Sequence, residues 1–189
     1  MIVVALFLLA TGCGGGGGGG VTPPTLVPSF STGTVAGPDI VRLRGGSVAG
    51  DTITVEVAIG GPTTGDDLYA FAFDLLLSDT TIVRFVDGSE VAGNVLVAGA
   101  GQSIDVQAKT QGDRVVVGIT KLGGGAGNRV TAAEAVIVRL AFRGIAPGSS
   151  TIAIAPAGNG FPAPEALDSK GVRDPNVTFD LAPATITVR

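Results

Sequence analysis

The stretch Gly50-Asp51-Thr52-Ile53-Thr54-Val55-Glu56-Val57-Ala58-Ile59 alternates with a period of two. Ile53, Val55, Val57 and Ile59 fall on one face, and Thr52, Thr54 and Glu56 on the other, the pattern of a half-buried strand. Working outward, the same period recurs in Tyr69 to Leu77, which aligns Phe71, Phe73, Leu75 and Leu77. Ser103 to Lys109 sets Ile104 and Val106 against Ser103, Asp105, Gln107 and Lys109. Ile82 to Val86, Asn94 to Ala98, Arg114 to Thr120, Val136 to Arg143, Thr151 to Ala155, Val177 to Leu181 and Thr185 to Val188 read as further strands. Gly60-Gly61-Pro62, Asp87-Gly88, Gly112-Asp113, Pro147-Gly148 and Asp168 to Gly171 separate them, at the spacing of an all-β sandwich. A short helical turn near Thr131 to Glu134 is the one exception expected.

Composition supports this reading. The 189 residues are 45% hydrophobic and only 15% charged, with 31 Gly, so there is little material for helix surfaces. The chain is long enough for one domain with a substantial core. Its net charge is −4 and its basic residues are scattered, which gives no footprint for nucleic acid. There is no His and a single Cys. The usual general base and commonest transition-metal ligand are therefore missing, and an intrachain disulfide is excluded. The expectation is a non-catalytic chain without cofactor or metal.

The first forty residues point to export. Ile2 to Ala10 is an apolar run too short to span a bilayer. It fits the apolar part of a secretory signal with small residues at its end. Leu9-Ala10-Thr11-Gly12-Cys13 resembles a bacterial lipobox, with two departures: Ala10 stands where Leu is preferred, and no Lys or Arg precedes the apolar run. That resemblance implies that Cys13 carries the lipid and becomes the mature N-terminus. Gly14 to Gly20 is unbroken glycine, and Val21 to Pro38 is rich in Pro, Thr, Ser and Gly, a composition of solvated tethers. The expected organisation is a lipoprotein signal peptide at 1–12, acylated Cys and tether at 13–38, and a folded domain at 39–189. Gly14 after the Cys implies the outer membrane if the cell is Gram-negative.

The strand blocks also resemble a known family. Gly50 to Val57 looks like the opening Gly-Asp strand of cohesin domains. Ala70-Phe71-Ala72-Phe73-Asp74-Leu75, followed by Asp79 to Phe85, is similar to the family's next block. Val136 to Arg143, Gly148 to Ile152, Asp168-Ser169-Lys170-Gly171 and Ala184 to Val188 resemble its late strands and terminal hairpin. The resemblance covers 39–189 and implies a nine-stranded jelly-roll sandwich that binds a protein partner, dockerin modules in the family's known cases, through a flat sheet face. It places that face on Ala70, Ala72, Asp74 and Leu76. Family members carry an Asn and an Asp at the positions matching Ala70 and Ala72, so two of the known hydrogen-bonding groups are missing here.

Other chemistry finds less support. Asp66-Asp67 could form a glycosidase pair but sit in a Gly-rich turn. Asp168, Asp174 and Asp180 could offer oxygens to calcium, yet Lys170 interrupts the first turn. Gly123 to Gly127 lacks the Lys and the helix of a phosphate loop. A carbohydrate-binding or adhesive surface module, with polysaccharide as partner, is the rival reading. Sugar modules stack rings on exposed aromatics, and this chain has no Trp, one Tyr (Tyr69) and one loop candidate, Phe161.

Overall fold

The computed structural model describes residues 25–34 and 36–189, so Cys13, the signal peptide and the tether up to residue 24 lie outside the described residues. The described chain is all strand, arranged as two sheets facing one another across an apolar core. In chain order the strands are β1 (Pro28–Thr32), β2 (Ile40–Ala49), β3 (Thr52–Gly60), β4 (Ala70–Leu77), β5 (Val83–Phe85), β6 (Val91–Ala92) and β7 (Ser103–Gln111). Then follow β8 (Arg114–Leu122), β9 (Glu134–Gly144), β10 (Gly148–Ile154), β11 (Glu165–Leu167), β12 (Thr178–Phe179) and β13 (Ala184–Val188). Nine of these have five or more residues, and β5, β6, β11 and β12 have two or three. The expected nine strands are thus accompanied by four short ones, where turns and irregularities break the ladder.

One sheet runs β1-β13-β10-β4-β8-β7, with β11 also on β4; the other runs β12-β2-β3-β9-β5, with β6 also on β9. The pairing is antiparallel except for β12 on β2. Gly50-Asp51 makes the β2–β3 turn, with Ala49 opposite Thr52 and Gly50 at φ 58°, a conformation costly for any residue with a Cβ. Ile53, Val55, Val57 and Ile59 are buried as their period requires. They meet Phe71, Phe73 and Leu75 of β4, Leu140 and Phe142 of β9, and Ile152, Ile154 and Ile186 in a single cluster.

Three local readings change. Asn94 to Ala98 is not a strand. The N–H groups of Gly93 and Asn94 donate to Ile137 and Val136, and the Asn94 side chain accepts the Val136 N–H at 2.8 Å. A Cβ on Gly93 would lie 1.9 Å from the Val136 carbonyl. The chain therefore crosses close to β9 and buries Val95 and Leu96 consecutively, which ends the alternation. Thr131 to Glu134 is bends and the start of β9, not a helical turn. Third, β1 precedes residue 39, where the folded part was expected to begin. It pairs with β13 from Pro28–Val188 to Thr32–Ala184, and Phe30 packs against the core. One partly buried aromatic and a free edge on β13 outweigh the poor strand composition around it.

Candidate functional site

The outer side of the first sheet is where the predicted face falls, and cross-strand register assembles it from five strands. Ala70 lies opposite Thr120, Ala72 opposite Gly118, Asp74 opposite Val116 and Leu76 opposite Arg114. β7 extends each row: Asp105 beside Thr120, Gln107 beside Gly118, Lys109 beside Val116 and Gln111 beside Arg114. On the other flank Glu165 pairs with Ala72, Leu167 with Ala70, and Ala153 with Leu76. Paired residues share a face of the sheet, so these side chains form one surface. Its middle is made of small groups. A Cβ built on Gly118 meets nothing within 4 Å, so open space lies above the centre of the sheet. Val116 and Leu76 add half-buried apolar area, and Gln107 and Lys109 are exposed at one border.

Asp74 departs from its expected accessibility. Period two does turn it outward, but it is only 3% exposed. The Arg114 Nη1 lies 3.1 Å from its Oδ2, and the same guanidinium covers the Phe161 ring at 5.5 Å from the centroid. Phe161 belongs to the connection between β10 and β11, both of which lie on the same side of β4. This connection brings a wall of Phe161, Arg114 and Asp74 to one end of the face. Ala70, Ala72 and Leu76 stay half-buried. The Phe161 ring is engaged by the protein's own guanidinium, which leaves a poor platform for a sugar.

The candidate carboxylates serve turns. Asp67 accepts the Gly127 N–H, the Ser169 hydroxyl at 2.7 Å and the Ser169 N–H at 3.3 Å, tying three loops together. The Ser169 hydroxyl bond, followed by the backbone donors, holds the Asp67 carboxyl below the usual carboxylate range. Asp168 accepts the N–H groups of Lys170 and Val172, Asp174 that of Asn176, and Asp180 that of Ala182. Asp39, 8% exposed and at φ 59°, receives both the N–H and the hydroxyl of Thr64. Among the described residues no three His, Cys, Asp or Glu converge as a metal site. A cleft of about 620 Å³ lined by Pro164, Arg173, Pro175, Val177, Phe179 and Leu181 presents an apolar wall with one cation.

The opposite sheet carries a different outer surface. Glu134 receives Arg42 and Arg44, and Glu56 receives Arg44 and Arg139, in a continuous chain of ion pairs. With its charges paired internally, this face differs from the small-residue face across the core. Sequence reading located the β4 row and noted Val116, Gly118 and Thr120. It missed the wall, because Arg114 and Phe161 are 47 residues apart in the numbering and meet only through the β10–β11 connection.

Comparison with solved structures gives the class of fold. A type II cohesin module from the adaptor ScaA scaffoldin of Acetivibrio cellulolyticus superposes with a TM-score of 0.53 at 12% identity, covering 74% of this chain and 84% of that one. The seventh ScaB type I cohesin of Pseudobacteroides cellulosolvens gives 0.51 at 12%, covering 76% and 87%. A type II cohesin–X-dockerin complex from Acetivibrio cellulolyticus gives 0.53 at 11%, covering 75% and 93%. The described domain therefore has a cohesin-like jelly-roll fold, as the strand blocks implied. No family model matches the sequence, and no curated protein matches it.

Proposed function

We propose that this chain is a non-catalytic protein-docking module of the cell envelope, lipid-anchored through Cys13, that receives a protein partner on the outer face of β10-β4-β8-β7. The observation that carries the reading is the open row Ala72–Gly118–Gln107, flat and small-sided at its centre and bounded by the Asp74–Arg114–Phe161 wall. A flat surface without a deep polar pocket suits a macromolecular partner better than a small substrate. The fold likeness adds to this, since one of the similar cohesins was solved with a dockerin. The alanines at 70 and 72 argue for a partner that uses apolar contact where the known pairs use side-chain hydrogen bonds.

The test is surface plasmon resonance of the mature chain against dockerin modules and envelope proteins, comparing wild type with Gly118→Arg. The built Cβ at 118 has free space, so the arginine leaves the fold intact while standing over the centre of the face. Binding that survives Gly118→Arg and Leu76→Lys unchanged would place the partner elsewhere and defeat the proposal. Lipid attachment is tested separately by mass spectrometry of the mature N-terminus, with Cys13→Ser as control.

A further inference from the structure

Among the described residues the first sheet ends on β7, which pairs with β8 alone. In this hairpin Gln111 lies opposite Arg114, and alternate residues bond across. The N–H of Thr110 points away from β8 and donates to Asp87 Oδ1 at 3.2 Å. By the same parity the main-chain N–H and C=O groups of Ile104, Val106 and Ala108 also point away from β8. Among the described residues they meet no partner. Unpaired edges of this kind template the pairing of another strand, and soluble proteins ordinarily block them. The other outer strands here are short or blunted: β1 has five residues and begins with Pro28, β12 has two and β5 three. β7 has nine residues, with no proline and no bulge.

The side chains along β7 say what would fit. Its outward-facing residues are Ser103, Asp105, Gln107, Lys109 and Gln111, with one anion and one cation placed symmetrically about Gln107. An antiparallel copy centred on Gln107 sets Asp105 opposite Lys109 of the second chain, and Lys109 opposite its Asp105. Lys109 has no ion-pair partner among the described residues, and Asp105 accepts only the Gln107 amide at 3.1 Å. In that register Val106 exchanges both main-chain bonds with Ala108 of the second copy, and Ala108 with its Val106, while Asp87 on the Thr110 N–H and hydroxyl closes the edge beyond them. About four main-chain hydrogen bonds follow. Strands of like sequence are self-complementary in this way only when their charges are antisymmetric about the axis.

We infer that β7 is a self-pairing edge, through which two copies of this chain join antiparallel about a two-fold axis at Gln107 into one continuous sheet. The inference stands independently of the proposed docking partner. It would set the outer faces of the two copies side by side, as a bivalent surface.

The experiment is sedimentation equilibrium of the full chain across a concentration series, with four variants. Wild type is expected to show a monomer–dimer equilibrium. Asp105→Lys and Lys109→Asp each place like charges opposite one another twice, and weaken the dimer about tenfold. The double variant, Asp105→Lys with Lys109→Asp, restores the pairing to within a few-fold of wild type. Val106→Pro removes an edge donor without touching the β7–β8 ladder, and abolishes the dimer. A chain that stays monomeric throughout overturns the inference. So does a dimer with the same dissociation constant in all the charge variants, or one that survives Val106→Pro.

Discussion

Arg114 covers Asp74 on the outer face of β4 and β8, with 3.1 Å between Nη1 and Oδ2 and the carboxylate only 3% exposed. The pair closes one end of the candidate face and is itself roofed by Phe161. Removing one partner of a buried pair strands the other. Because the Arg114 side chain is still 26% exposed, the cost is reduced by solvent. Asp74→Ala is expected to lose about 2 kcal/mol in urea unfolding. The double change Asp74→Leu with Arg114→Leu is expected to cost less than the sum of the single changes, since no charge is then left unpaired. Additive losses would show that the pair is not coupled.

Asp67 predicts a pH dependence. Its folded-state carboxyl sits below the ordinary value of 3.8, chiefly through the Ser169 hydroxyl. A lowered folded value means stability that is present above the unfolded value and is lost as pH falls through the folded one. Wild type is therefore expected to be more stable than Asp67→Asn at pH 7, with the gap closing as pH drops below 3.8. Thermal melts of both proteins between pH 7 and pH 2 measure it. A gap that widened toward acid would reverse the assignment.

The ion-pair chain on the opposite sheet is expected to respond to salt. Glu134 holds two arginines whose side chains are 17% and 34% exposed. Glu134→Gln should cost about 1 kcal/mol at low ionic strength and less at 1 M salt, where the Debye length shrinks to about 3 Å. A loss independent of salt would assign the residue a packing role.

β1 supplies a fourth prediction. Phe30 is packed against the core, and the strand pairs along its whole length with β13. Phe30→Ala is expected to cost about 1–3 kcal/mol, because the ring is only partly buried. A fragment beginning at residue 39 should unfold at lower denaturant than one beginning at residue 25. Equal midpoints for the two fragments would show that β1 adds nothing to the fold.

Several features were legible in the chain as written. Period-two alternation in Thr52 to Ile59, Tyr69 to Leu77 and Arg114 to Thr120 specifies which side of each strand is buried, because successive side chains must point to opposite faces. Gly112-Asp113 specifies a hairpin, since a tight turn needs a positive φ that Gly reaches without strain. Those local rules carry the sandwich and the outward row Ala70, Ala72, Asp74 and Leu76. Alternation fails at Val136-Ile137-Val138, all buried, because the β3–β9 register slips there: Val57 faces Val138 while Ala58 faces Val136.

Direction out of the sheet does not settle accessibility. Asp74 points outward and is buried all the same, because Arg114 and Phe161, distant in sequence, close over it. The edge character of β7 is likewise not a property of Ser103 to Gln111 alone. It follows from strand order, which sets β8 between β4 and β7 and, among the described residues, places no strand beyond β7. Local sequence determined the strands and their faces through backbone geometry, which acts between neighbours. Only the tertiary structure decided what covers each face and where the sheet ends, since both depend on contacts between residues that chain order keeps apart.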